Sequence, residues 1–214
     1  MTTEQLPPVA FGEWLAQMLA VLRGERDADV PCGECVGCCV SSYPIPLRPT
    51  DAAALASVPS RHLHFPSMPG NGLALMGFRE DGTCPMLCAG KCSIYSNRPQ
   101  TCRDYDCRIY AAADLMPDGD RPVIAGRVRA WTFTLTSAQE QAALTAIRSA
   151  AQYIQQHRDL FPSAMRAGSA TAAAVLALKV HPVFMACMND TGLPAVTVRE
   201  VIEAAQAFER GASA

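Results

Sequence analysis

The chain has 214 residues, half of them hydrophobic and 18% charged, so it can bury a core and does not read as a disordered polymer. Its formal net charge of -2 offers nucleic acid or an anionic membrane surface no electrostatic attraction, and no basic arm or stripe is present. The length suits one domain, or one domain with an appended lobe.

Residues Met1 to Pro8 lack a positive segment followed by an apolar one, which argues against a secretory leader. Val9 to Arg23 reads as an amphipathic helix, with Phe11, Leu15, Met18, Leu19 and Leu22 at helical spacing and Gly24 as its stop. A polar link, Glu25 to Asp29, leads to Pro31 and the run Cys32-Gly-Glu-Cys35-Val-Gly-Cys38-Cys39. Pro44, Pro46 and Pro49 keep the next stretch extended. Thr50 or Asp51 then caps a short helix through Val58, stopped by Pro59. Arg61 to Asn71 reads as loop, with Pro66 and Pro69-Gly70 as turn signals, and Gly72 to Phe78 as a short strand closed by Asp81-Gly82.

A second group of thiols follows, Cys84, Cys88, Cys92, Cys102 and Cys107. Pro85, Gly90 and Pro99 break regular structure there, leaving a short turn of helix after Pro99 to carry Cys102 and, at its furthest reach, Cys107. Asp114 to Arg121, with Pro117 and Gly119, reads as a linker. Val123 to Leu135 is rich in β-branched and aromatic residues and reads as a strand. Ser137 and Glu140 form a capping box for a helix reaching His157 or Leu160, and Thr197 and Glu200 form another for a last helix to about Arg210. Between them an apolar helix spans Ser169 to Val180 and is broken by Pro182; its apolar run is too short for a bilayer, which needs roughly 20 residues. The expected fold is α-rich, α+β at most. Within a single domain it has a helix over 9–24, an irregular cysteine-rich core over 30–113, and a strand-like segment with helices over 121–210.

Nine of the ten cysteines fall between Pro31 and Cys107. With no sign of export the expected compartment is the cytoplasm, where thiols stay reduced, and a chain of this length needs no disulfide staples. Steps of three residues through Cys32, Cys35 and Cys38 can fold their thiolates around one metal or cluster, as in bacterial ferredoxins. Zinc favours two clean Cys-x-x-Cys pairs or Cys/His mixtures, whereas the downstream spacings are four, four, ten and five. That irregular set suits iron–sulfur ligation, a 4Fe–4S cluster included, with zinc or iron chelation as the alternative. His62 and His64 read as surface residues. Lys91, Arg98, Arg103 and Arg108 flank cysteines and could offset thiolate charge; Lys91 and Arg108 read equally well as a solvated basic face. Tyr95 and Tyr105 could shield a cluster or be core aromatics, and Tyr110 reads as core.

Cys32, Cys35, Cys38 and Cys39, then Cys84-Pro85-Met-Leu87, Cys92-Ser-Ile94-Tyr95, Arg98-Pro99 and Cys102-Arg103, resemble the YkgJ-like cysteine-cluster family, a CxxCxxCC zinc- or iron-chelating domain. The resemblance implies iron–sulfur or zinc binding with no settled activity, and a distant similarity to flagellin lysine methylases suggests a cluster-dependent modifying enzyme. The expected metal ligands are Cys32, Cys35, Cys38, Cys39, Cys84, Cys92 and Cys102, with Cys107 as an eighth. Arg98, Arg103 and Tyr95 are expected beside the bound group. Cys88 stands open between ligand, spare thiol and packed residue, and Cys187 reads as a buried structural cysteine. No dinucleotide-binding glycine motif, Walker loop, nucleophile elbow or His-Glu-x-x-His helix occurs. The expected function is an iron–sulfur protein with a redox role or an oxidoreductase activity, acting with a protein redox partner and with neither nucleic acid nor membrane. Its rivals are a structural or metal-handling module and the modifying enzyme.

Overall fold

The computed structural model describes residues 6–65, 74–191 and 196–212. The turn signals at Pro66 and Pro69-Gly70, the first two residues of the expected strand, and the first five residues read for a leader lie outside them. In chain order the elements are β1 (Val9–Ala10), α1 (Phe11–Leu22), β2 (Ile45–Leu47), α2 (Ala52–Ser57), β3 (Leu63–His64), β4 (Ala74–Met76), β5 (Leu87–Cys88) and β6 (Lys91–Cys92). They continue with α3 (Gln100–Asp104), α4 (Arg108–Ala113), α5 (Pro122–Ala130), β7 (Phe133–Thr134), α6 (Ala138–Gln156), α7 (Ala170–Thr191) and α8 (Val198–Ala212). The protein is α-rich with a few short strands. It divides into two compact units, Asp27–Asp106 and a helical unit made of the residues up to Arg26 and from Cys107 onward. The 114–121 stretch lies within the helical unit, where Asp114 adopts a left-handed conformation (φ 54°) that ends α4.

The Asp27–Asp106 unit is built on a three-stranded antiparallel sheet in the order β2-β4-β3, with Ile45 and Leu63 both opposite Met76. Leu47, Ala54, Val58, Ala74, Met76 and Met86 form its apolar core, and Cys84, Cys92 and Ile94 pack against that core partly buried. Asp51 precedes α2 as expected, yet its carboxylate does not cap the helix. Instead it accepts from Arg48 N–H and from Gln100 N–H, both at 2.8 Å, which pins the start of α3 to the start of α2. Thr101 Oγ1 donates to Pro46 C=O at 2.8 Å and ties α3 to β2. A single turn of helix would not persist alone in water; these side-chain bonds fix it.

In the helical unit β1 and β7 pair in parallel, and Phe11, Trp14 and Phe133 cluster with Phe11 and Phe133 edge-on at 5.4 Å. The main packing is α6 on α7. Ala143, Ala146, Ile147, Ala150, Ala151 and Ile154 are buried on α6, and Ala173, Ala174, Ala177, Leu178 and Val180 on α7, so small residues let the two backbones approach. The capping boxes form: Ser137 Oγ accepts from Glu140 N–H at 3.1 Å, and Thr197 N–H donates to Glu200 Oε2 at 2.8 Å.

Three expectations are corrected here. Val123 to Ala130 is helix rather than strand, because Pro122 supplies a first-turn proline and Ile124 and Val128 share one buried face four residues apart while Val123 is exposed. Only Phe133–Thr134 pairs as strand. Next, α7 does not break at Pro182 but runs through it. Proline has no N–H for the carbonyl four residues back, Leu178 C=O, and buried His181 supplies the missing donor through Nδ1 at 2.7 Å. The apolar stretch is accordingly longer than expected: Ala170–Cys187 is apolar enough to cross a bilayer by length and composition, though it packs on α6, α8 and α4 as a core helix does. Finally, Cys187 is half-buried rather than buried.

Candidate metal centre

None of the ten cysteines is in a disulfide. The first cysteine run is a chain of tight turns. Cys35 N–H reaches Cys32 C=O at 2.9 Å, Cys39 N–H reaches Val36 C=O at 2.8 Å, and residues 37–40 form one turn of 3-10 helix. Ser41 Oγ closes that turn onto Gly37 C=O at 2.5 Å. Two bonds join this run to the second group of thiols. Cys84 N–H donates to Cys39 C=O at 2.7 Å, and Ser42 Oγ donates to Gly82 C=O at 3.1 Å. Gly82 is required there: its φ is +80°, and a Cβ would stand 2.5 Å from Ser42 Oγ.

The sulfurs of Cys38 and Cys39 are 4.0 Å apart, and the Cys39 thiol hydrogen-bonds both Cys38 and Cys84. Those hydrogen bonds decide the charge state. They lower Cys84 to about 6 and Cys38 to about 7, while Cys39, as the donor between them, is raised. Cys102 is pushed up to about 12, chiefly by burial and then by the negative charge of Cys38, Cys84 and Cys92. Cys92 is raised by burial, opposed by the Ile94 N–H bond to its sulfur. Cys38 and Cys84 therefore each bear on Cys39, Cys92 and Cys102.

Backbone amides point at several of these sulfurs from two residues downstream. Gly37 N–H donates to Cys35 Sγ at 3.4 Å, Met86 N–H to Cys84 Sγ, and Ile94 N–H to Cys92 Sγ. Such bonds stabilise thiolate over thiol and orient the sulfur for a cation. The β5–β6 hairpin supplies Cys92. Its two-residue loop, Ala89-Gly90, has φ of 47° and 75°, the combination of a tight type I′ turn. Leu87 pairs with Cys92 and Cys88 with Lys91, so Cys88 projects to the opposite face from Cys92 and is exposed.

Among the flanking residues, Arg98 bears on Cys92 and Cys102 electrostatically, offsetting a small part of the upward shift of each. Its guanidinium stacks on the Tyr95 ring at 3.8 Å and its Nε donates to Tyr95 C=O at 3.1 Å. Tyr95 is 63% exposed, so it holds Arg98 rather than covering the thiols. Arg103 directs its guanidinium to Gln100 Oε1 at 2.6 Å and Asp27 at 3.6 Å, and its Nε is buried without a hydrogen-bond partner. Lys91 is exposed. Tyr105 lies 6.4 Å from Tyr43, centroid to centroid. Cys32 is exposed at the mouth of its turn.

Cys107 belongs to the helical unit, immediately before α4. It is buried, and its sulfur accepts a hydrogen bond from Trp131 Nε1 at 3.3 Å. Arg108 and Arg127 lie 5.7 and 5.1 Å from the Trp131 ring centroid, so Arg108 is a buried residue and not a solvated one. Tyr110 is fully buried in the same unit, as expected, with its hydroxyl on Thr171 Oγ1 at 2.5 Å.

Sequence reasoning missed Arg79. Its guanidinium reaches Thr83 Oγ1 at 3.1 Å, Pro85 C=O at 2.8 Å and Leu87 C=O at 3.0 Å, and its charge lowers Cys84. The usable signal was the Asp81-Gly82 turn, which folds a cation three residues before Gly82 back onto the following loop.

The donor set fits a zinc- or iron-thiolate centre. Two ligands on one tetrahedral zinc, at about 2.3 Å each, stand about 3.8 Å apart, close to the 4.0 Å between Cys38 and Cys39. The sulfurs nevertheless stand at hydrogen-bonding separations, and among the described residues no three His, Cys, Asp or Glu side chains form a ready metal cage. No curated protein and no solved structure matches this chain. A family model does match, over residues 31–118, which span both cysteine groups. The model is that of the CxxCxxCC family, described as a putative zinc- or iron-chelating domain.

Proposed function

We propose that the thiols of the Asp27–Asp106 unit hold an iron–sulfur cluster that exchanges electrons with a protein redox partner in the cytoplasm. The observation that carries this reading is the number of interacting thiols. Cys38 and Cys84 interact with each other and each bears on Cys39, Cys92 and Cys102, whereas a single structural zinc takes four ligands. Amide donors to the sulfurs and the nearby Arg98 charge are the features that tune cluster potentials. Several of the cysteines are only half-buried, as close approach of a partner requires. Absence of disulfides accords with a reducing compartment. A zinc- or iron-chelating module without redox chemistry is the second reading, supported by the Cys38–Cys39 separation.

The test is anaerobic purification of the full chain, with iron, sulfide and zinc analysis and electron paramagnetic resonance after reduction. Brown protein with a paramagnetic reduced state is expected. Colourless protein with stoichiometric zinc and no iron would falsify the cluster reading. Cys84→Ser should lower metal content more than about tenfold, since losing a ligand exceeds the effect of losing a ligand's hydrogen-bond partner. Cys88→Ser and Cys187→Ser should retain the metal.

A further inference from the structure

We infer that Arg79 is a positioning residue for the Cys84 loop: its guanidinium grips the loop carbonyls so that the opposing amide is aimed at the Cys84 sulfur. The inference rests on Cys84 being a metal ligand, as proposed above. Arg79 stands at the start of a turn closed by Gly82 N–H on Arg79 C=O at 2.9 Å and by Arg79 N–H on Thr83 C=O at 2.8 Å. From there the side chain folds back over the next residues. One terminal nitrogen donates to Thr83 Oγ1, and the other donates to both Pro85 C=O and Leu87 C=O.

A trans peptide plane points its C=O and its N–H in opposite directions. Fixing Pro85 C=O on Arg79 therefore turns Met86 N–H the other way, and Met86 N–H is, with Leu87 N–H, one of two amides that hold Cys84 toward its thiolate. Arg79 sets the direction of that amide from behind without touching the sulfur. The bond to Leu87 C=O fixes the next turn at the start of β5, which carries the chain into the hairpin that holds Cys92. Thr83 anchors the assembly from the side, since its hydroxyl accepts from Arg79 and donates to Asp81 Oδ1 at 2.7 Å. A lysine would keep the charge, but a flexible point cation cannot hold three acceptors in a fixed fork.

The experiment compares the full chain with Arg79→Met, Arg79→Lys and Thr83→Val, each loaded with zinc or with cobalt(II). Affinity is measured by chelator competition, and the thiolate-to-cobalt charge-transfer band is recorded. Both Arg79 variants are expected to bind about tenfold or more weakly, the usual cost of removing a ligand's orienting partner. Their charge-transfer bands should shift to lower energy, because a sulfur without its amide donor is more electron-rich. Thr83→Val, which keeps the arginine and removes one anchor, should show a smaller loss in the same direction. It carries the test if the Arg79 variants fail to fold. Rescue of affinity and spectrum by Arg79→Lys would mean that charge alone matters and would overturn the positioning role. So would binding within twofold of wild type in all variants. Wild-type protein that takes up neither metal would overturn the metal reading along with it.

Discussion

The thiol unit and the helical unit are held by different kinds of interaction. The helical unit contains helices of 12, 19, 22 and 15 residues, α1, α6, α7 and α8, each long enough to present a repeated apolar face. The thiol unit has helices of 6 and 5 residues, α2 and α3, and strands of two or three. Helices that short do not persist on their own propensity. Among its described residues six core side chains are few for a unit of its span, and its order rests on side chains holding backbone: Asp51, Thr101, Ser42, Ser41 and Arg79. Such a unit gains most from a bound metal, because the free energy of assembling its thiolates becomes folding free energy.

Metal removal is the largest way to break that contrast. Structural zinc contributes on the order of 10 kcal/mol or more to small thiolate folds. Treating metal-loaded protein with a chelator should accelerate amide exchange throughout 27–106 while α6 and α7 stay protected. Equal protection of both units after metal loss would remove the contrast.

Asp51→Ala tests the same idea with the metal left in place. The buried carboxylate accepts from two backbone amides on different segments, and deleting it strands both donors. Hydrogen bonds to a charged group are worth about 1.5–3 kcal/mol each, so a loss of about 3 kcal/mol is expected. It should appear in the thiol unit's transition by exchange or limited proteolysis, with the helical unit unchanged. Because Gln100 opens α3, metal should also be lost more readily from Cys102.

The same contrast explains what could be read from the residues alone. Phe11, Leu15 and Met18, the two capping boxes and Gly24 announce α1, α6 and α8 because helical packing writes itself as a period. The ends of α2 and α3 were legible from Asp51, Pro59 and Pro99. The α5 error came from weighing β-branched content above spacing, although Ile124 and Val128 stand four apart. In the thiol unit, spacing marked the cysteines but not their arrangement. The bond from Cys84 N–H to Cys39 C=O and the grip of Arg79 on Pro85 C=O use backbone acceptors, which leave no pattern of residue types. Cys88 was undecidable until the Leu87–Cys92 register put it on the outer face. Pro182 misled for a related reason, since its compensation is a single neighbouring side chain.

That compensation gives the smallest and most local test. Interior proline costs a helix about 3 kcal/mol through the missing donor and the ring clash, but here His181 Nδ1 already satisfies Leu178 C=O. Pro182→Ala should therefore recover only part of that cost, offset by the looser unfolded chain. The net gain should be about 1 kcal/mol, or a rise of about 2–4 °C in a chain of this size. His181→Leu in the native background leaves a buried carbonyl without a donor and should lose about 1–3 kcal/mol. In the Pro182→Ala background the restored amide takes that carbonyl, and the same change should cost much less. Burial also lowers the pKa of His181 below its usual value. The unfolded chain then takes up the proton first, so stability holds above about pH 6.5 and falls as the pH drops below it. His181→Leu should flatten that fall. Additive effects of the two substitutions, measured as thermal unfolding of the helical unit at neutral pH, would show that His181 does not stand in for the proline's missing amide.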